Sequence, residues 1–408
     1  MDNGKEIIAV CAVPPGVNPG MSSVDLALKL LLEKHHLLNE VDFYTLYSVP
    51  SDPGIETTTN QVTYSLIPDD PEFFSSKKII LYWGDFLHMF QYHQTVANAL
   101  FQRKYFQTLE EALRRVYNVF LLADQDHEVL SRKISFGSTL LFNTLTDEHD
   151  PGYGPALKRF LCSGNSWFRD VYSAVKAAHI TGNYSTSFLG IDCATLLDPG
   201  QFTNRISRPD KQKKTGLFIG RTAVHFPEIY QFALDYAKIS GTTLSWIPWG
   251  DVSAFPTLKM IGEDPALAAL DNFDLAGIAD PFKAVGSLQE FDVIVTDTYH
   301  ICVNAWNMGV PAICFAGNDH FKRRNVNSGD FFARRDKRQV FFGMYDALDF
   351  LVHYEELLHL ESREMRLNHL IGLMDSGIIV KEIQQRIRQH AGHSENILMN
   401  AIDTLRKK

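Results

Sequence analysis

Short apolar runs alternate with amphipathic stretches along most of this chain. That alternation predicts buried parallel strands joined by crossover helices. In the first half it predicts strands over 7–13, 42–47, 78–83 and 187–192, and helices over 21–34, 109–115, 128–133 and 167–178. Residues 119–123 and 136–142 are apolar without a period that separates strand from buried helix. In the second half it predicts strands over 216–220, 243–248, 292–296 and 312–315. Helices fall over 227–240, 302–308 and 346–356, with a helical turn at 281–285. From about 362 to 408 the pattern is helical, with breaks near Gly377 and Gly392. Residues 199–214 carry two prolines and the run Lys211-Gln212-Lys213-Lys214, and read as a linker. The fold class is therefore α/β: two Rossmann-like domains, 1–198 and 215–375, facing a cleft, with a helical tail over 376–408.

Composition narrows the function. Of 408 residues, 45% are hydrophobic and 21% charged, which excludes a disordered chain, a coiled coil and a collagen-like repeat. Lysine and arginine number 39 against 48 acids, a net charge of −9, so nucleic acid is not an expected partner. No run reaches the roughly 18–20 apolar residues of a membrane helix. The first residues lack the basic segment of a signal peptide, and a cytoplasmic protein is expected. Cys11, Cys162, Cys193, Cys302 and Cys314 form no C-x-x-C pair. Their apolar settings predict buried, reduced thiols and no metal site.

Doubly wound sheets bind ligands at the carboxyl ends of their strands. His300 lies where the 292–296 strand gives way to a helix, in Thr296-Asp297-Thr298-Tyr299-His300, and is the candidate general acid or base, with Asp297 beside it. A cap or a packed histidine is the structural alternative. Arg221 closes the 216–220 strand and aims at the cleft. Lys322, Arg323 and Arg324 follow the 312–315 strand and could hold a phosphate or diphosphate, or be a solvated loop. In the first domain, Asn18 sits in Gly16-Val17-Asn18-Pro19-Gly20, Asp85 ends Trp83-Gly84-Asp85, and Arg169 precedes a helix start at Asp170. These three are the candidate acceptor contacts; turns, a packed Trp and an Arg169–Asp170 ion pair are the structural alternatives.

The 291–315 window resembles the signature of the polysaccharide pyruvyl transferase family: a hydrophobic strand, a short segment ending aromatic-His, an apolar helix, Gly309-Val310-Pro311, and a second hydrophobic strand. Arg169-Asp170-Val171-Tyr172-Ser173 and Asp192-Cys193-Ala194-Thr195-Leu196-Leu197 resemble further family pieces in the family's order. The resemblance implies a glycosyltransferase-B-like fold. It also implies transfer of enolpyruvyl from phosphoenolpyruvate onto two sugar hydroxyls as a ketal, in surface-glycan assembly and without a cofactor. Where many members have arginine, two residues before the histidine, this chain has Thr298. Arg221, then Arg169, are the candidate replacement cations. A nucleotide-sugar-dependent glycosyltransferase of the same fold is the alternative, and a catalytically silent binding protein a third reading.

Overall fold

Every residue of Ile7–Cys11 is buried, and the run forms a central strand, β1. Its side chains alternate between two cores: Ile7, Ala9 and Cys11 face one, Ile8 and Val10 the other. Burial on both faces is what a parallel strand covered by helices requires. The computed structural model describes residues 5–12, 18–46, 57–59, 62–84, 86–202, 213–222, 224–250, 255–278, 280–317 and 336–408.

The first sheet contains β1, β2 (Val41–Thr45), β3 (Thr57–Thr59), β4 (Val62–Leu66), β5 (Ile79–Trp83), β6 (Lys133–Ser138) and β7 (Ser166–Phe168). Their order is β3-β4-β2-β1-β5-β6-β7, parallel throughout except for β3 against β4. The second sheet contains β8 (Lys214–Phe218), β9 (Thr243–Trp246), β10 (Val293–Thr296), β11 (Ala312–Ala316) and β12 (Leu351–His353). It is wholly parallel, in the order β12-β11-β10-β8-β9. The strand order reverses between β1 and β5 in one sheet and between β8 and β10 in the other. These are the switch points at which such sheets open a crevice.

Seven helices build the site and the tail: α1 (Pro19–Lys34), α2 (Val171–Thr181), α3 (Phe226–Ser240), α4 (Tyr299–Asn307), α5 (Lys337–Met344), α6 (Leu360–Ser376) and α7 (Ile378–Arg406). Helix α4 is buried along its whole length, because it packs between its own sheet and the first domain. There Asn304 Nδ2 donates to Ser23 Oγ at 3.0 Å, and Asn307 Nδ2 to the Leu197 carbonyl at 2.8 Å. Phe202 stacks on Phe282 at 4.4 Å between centroids. Helix α7 runs back to the first domain, where Glu395 pairs with Lys34 and His35, both at 2.7 Å, and Arg406 with Glu40 at 2.8 Å.

Several local expectations are corrected. Residues 119–123 complete the helix Leu109–Leu121, which a left-handed Leu122 ends, whereas 136–142 begin in β6. The 187–192 segment makes only a bridge from Leu189 to Phe168. The 346–356 run is broken by β12, because Leu351 and Val352 bury against β11. Helix α7 passes through Gly392 without a break; Gly377, at φ 61°, is where the chain turns. Cys162 is exposed at a helix end, while the other four cysteines are buried. Of the expected linker 199–214, residues 203–212 lie outside the described residues.

Gly137 in β6 has φ +74°, and a Cβ there would lie 2.1 Å from Cys193 Sγ and 3.1 Å from the Ile191 carbonyl. Gly137→Ala therefore combines backbone strain with overpacking and is expected to cost about 2–5 kcal/mol. Gly164→Ala, at φ +86° but in open space, should cost only the strain. Urea unfolding midpoints of the two variants check this; equal midpoints would show that Cys193 yields freely.

Candidate functional site

The cleft is built where the first turns of α1 and α4 pack side by side. Asn18 caps α1, its side-chain oxygen accepting the Gly20 amide at 3.1 Å, and Pro19 occupies the first turn. Gly20 then passes against His300: a Cβ on Gly20 would lie 2.6 Å from His300 Cβ. Only glycine allows this approach of the two domains.

His300 is 4% exposed, and its Nε2 is buried without a hydrogen-bond partner among the described residues. Burial holds the imidazole well below the usual histidine range, and the charges of Lys337, Arg169 and Arg221 push the same way. The histidine is thus neutral, with cations from both domains bearing on it. A buried polar atom facing positive charge is a place for an anion's oxygen.

Asp297 joins the loop after β8 to the start of α4. Its Oδ1 accepts Gly220 N–H at 2.8 Å and the Thr298 hydroxyl at 3.1 Å. Its Oδ2 accepts Arg221 N–H and Thr222 N–H, each at 2.9 Å. All four lone-pair directions are taken, and this carboxylate clamps the loop after β8. The clamp places Arg221, whose guanidinium sits 5.3 Å from the Phe255 ring centroid. Thr298 is the N-cap residue of α4, yet its hydroxyl is turned to Asp297.

On the first domain's side, Asp170 caps α2 and accepts from Ser173 N–H at 2.8 Å, Ser173 Oγ at 2.7 Å and Thr139 Oγ1 at 2.8 Å. Arg169 reaches across the cleft. Its Nη1 lies 3.6 Å from Asp192 Oδ2, and its guanidinium lies over Phe86 and Tyr299, 5.6 and 5.4 Å from the ring centroids. Lys337, at the start of α5, approaches the same two rings from the second domain, at 5.7 and 4.5 Å. The Tyr299 hydroxyl donates to Asp192 Oδ2 at 2.9 Å across the domain boundary. Arg338 anchors this wall. It pairs with Asp336 through two nitrogens and donates to the carbonyls of Asp297 and Phe315 at 3.0 and 2.6 Å. Arg169, Asp170, Asp192, Tyr299, Lys337 and Tyr345 are among the residues lining a cavity of about 10 Å³ between the domains.

The structure thus brings His300, Asp297, Thr298, Arg221, Asn18 and Arg169 to one crevice. Asp85, Lys322, Arg323 and Arg324 lie outside the described residues. Asp192, Tyr299 and Lys337 were missed as site residues. The first two stood inside the motifs that carried the resemblance, and Lys337 stood in a basic segment; only their convergence singles them out. Among the described residues there is no group of three metal-ligating side chains and no helix long and apolar enough to cross a membrane.

No protein-family model matches the chain, and no curated protein sequence matches it. Solved structures do. An α,α-trehalose-6-phosphate synthase from Burkholderia multivorans is similar with a TM-score of 0.51 over 99% of this chain and 99% of its own, at 10% identity. A protein assigned as a UDP-N-acetylglucosamine 2-epimerase from Listeria monocytogenes gives 0.51 over 98% and 96%, also at 10% identity. At that identity the likeness establishes the fold: two Rossmann-like domains in the glycosyltransferase-B arrangement, with a helical C-terminal region. It also corrects the resemblance to polysaccharide pyruvyl transferases and the transfer of enolpyruvyl from phosphoenolpyruvate, because the structural neighbours carry neither. The site gives the same correction a physical reason. The family's arginine is replaced by Thr298, whose hydroxyl is turned to Asp297.

Because the His300 imidazole stays neutral when folded but takes a proton near pH 6.5 when unfolded, its contribution to stability is intact above pH 6.5 and is lost as pH falls below it. Each such histidine costs up to about 1.4 kcal/mol per pH unit in that window. His300→Asn should therefore lose less stability than the parent between pH 6.5 and 5.5, by about 1 kcal/mol, since the unfolded histidine is already half protonated at pH 6.5. Urea midpoints at the two pH values decide it, and parallel losses would mean the imidazole is protonated in the fold.

Proposed function

We propose that this chain is a nucleotide-sugar-dependent glycosyltransferase that holds its donor's diphosphate against Arg221, Lys337 and His300 in the interdomain crevice. The observation that carries the reading is the convergence of Arg221, Lys337 and Arg169 on a buried, neutral imidazole with an unused Nε2. A diphosphate answers that arrangement: it brings anionic oxygens to fixed cations and an acceptor to the His300 N–H. The amides after β8, which such a phosphate often uses, are already committed to Asp297. Side chains must then supply the grip. Thr298 shapes the donor site through Asp297. Asn18 and Arg169 are assigned to the acceptor; Lys322, Arg323 and Arg324, expected from sequence at the donor, and Asp85, expected at the acceptor, lie outside the described residues.

The fold supports this reading. The Burkholderia protein is named as a sugar-phosphate synthase and the Listeria protein as an epimerase of a UDP-sugar. Cleavage of the donor leaves a nucleoside diphosphate with one more negative charge, and the same cations stabilise that charge as it develops.

Calorimetric titration with UDP, GDP, ADP, CDP and dTDP, with phosphoenolpyruvate in parallel, tests the reading. One of the diphosphates should bind and phosphoenolpyruvate should not. A charge-assisted hydrogen bond contributes about 1.5–3 kcal/mol, so Arg221→Ala should weaken that nucleotide by about 10- to 150-fold while the unfolding midpoint holds. Failure of every nucleoside diphosphate to bind at millimolar concentration would sink the proposal.

A further inference from the structure

We infer that Asp192, which no sequence motif had placed in the chemistry, is the general base that deprotonates the acceptor hydroxyl, with Tyr299 as its positioning residue. The inference rests on the glycosyltransferase reading above and names a catalytic group for it.

Three buried carboxylates face the crevice, and their bonding separates them. Asp297 is saturated by three amides and a hydroxyl. Asp170 is spent on the start of α2: it takes the Ser173 amide and two hydroxyls, so protonating it would break a cap. Asp192 is 4% exposed, and among the described residues its Oδ1 accepts only the Ala194 amide, at 3.1 Å. Its Oδ2 takes the Tyr299 hydroxyl at 2.9 Å and faces Arg169 Nη1 at 3.6 Å. A carboxylate offers about four lone-pair directions, so one on Oδ1 is left for a proton. His300 is the rival base, but burial and three cations oppose its protonation.

The cavity beside Asp192 has the size the role demands. Its volume of about 10 Å³ is the room of one water oxygen, and so of one hydroxyl. Asp192 is faced there by Arg169 and Asp170 from its own domain and by Tyr299, Lys337 and Tyr345 from the other. Burial and Asp192 itself raise the Tyr299 phenol well above its usual range, which keeps it a donor. The phenol thereby fixes the orientation of the carboxylate.

The step balances within the site. Asp192 takes the proton of the acceptor hydroxyl as its oxygen bonds to the anomeric carbon. The bond from that carbon to the diphosphate oxygen breaks, and its electron pair leaves with the nucleoside diphosphate, which Arg221 and Lys337 hold.

The test uses the full chain, the nucleoside-diphosphate sugar whose nucleotide binds in the calorimetric panel, and water as acceptor, with release of the nucleoside diphosphate as the rate. Asp192→Asn keeps the shape and the Ala194 bond. It should bind the nucleotide within about threefold of the parent yet release it about 10²–10⁴-fold more slowly. Azide, an acceptor that needs no deprotonation, should restore release in Asp192→Asn. Tyr299→Phe should slow release with water but not with azide, a split that a purely structural tyrosine would not produce. Release to water unchanged in Asp192→Asn, with the nucleotide bound, overturns the assignment alone. Equal slowing with both acceptors in Tyr299→Phe overturns the positioning role. A parent that binds no nucleotide overturns the glycosyltransferase reading, and the base with it.

Discussion

Inside the crevice the hydrogen bond from the Tyr299 hydroxyl to Asp192 Oδ2 ties the two sheets together, beside the bonds from Asn304 to Ser23 and from Asn307 to the Leu197 carbonyl. Its donor opens α4, a helix with no exposed face. Its acceptor opens the short turn Cys193–Leu196, which Gly137 admits beneath it by having no Cβ. Both partners are buried, so neither can exchange the other for water without a desolvation cost of about 1–3 kcal/mol. Beside that bond Arg169 and Lys337, one from each domain, approach the rings of Phe86 and Tyr299.

The crevice separates charges by the work they do. Carboxylates whose lone pairs are filled by amides act as mechanical parts: Asp297 shapes the loop that carries Arg221, and Asp170 starts α2. Arg338 is the cationic counterpart, held by Asp336 and two carbonyls at the ends of β10 and β11. Arg169, Lys337 and Asp192 instead meet groups from across the cleft, and His300 Nε2 has no hydrogen-bond partner among the described residues.

Much of the architecture was legible in the chain, because a parallel strand buried on both faces leaves an unbroken apolar run and a crossover helix leaves a 3.6-residue period. Those signals place β1, β5, β8, β10 and β11 and helices α1, α3 and α4, and with them the two-sheet fold. They fail at 119–123 and 346–356, where an apolar run is compatible with either state and only its neighbours decide. The placement of His300 at a strand-to-helix junction was legible for the same reason: the junction is a local event.

The identity of the partners was not. Whether a carboxylate clamps a loop or faces a cavity depends on amides and hydroxyls that are distant in sequence. Asp297 meets residues 220–222, and Asp192 meets Tyr299 across 107 positions. The short motifs around Asp192 and Tyr299 therefore suggested a family, while the three-dimensional likeness pointed elsewhere. Sequence by itself determined the two α/β layers, the strand ends and the residue types available there. Tertiary structure alone decided which of those residues face one another, because pairing between domains is set by packing, and no local period records it.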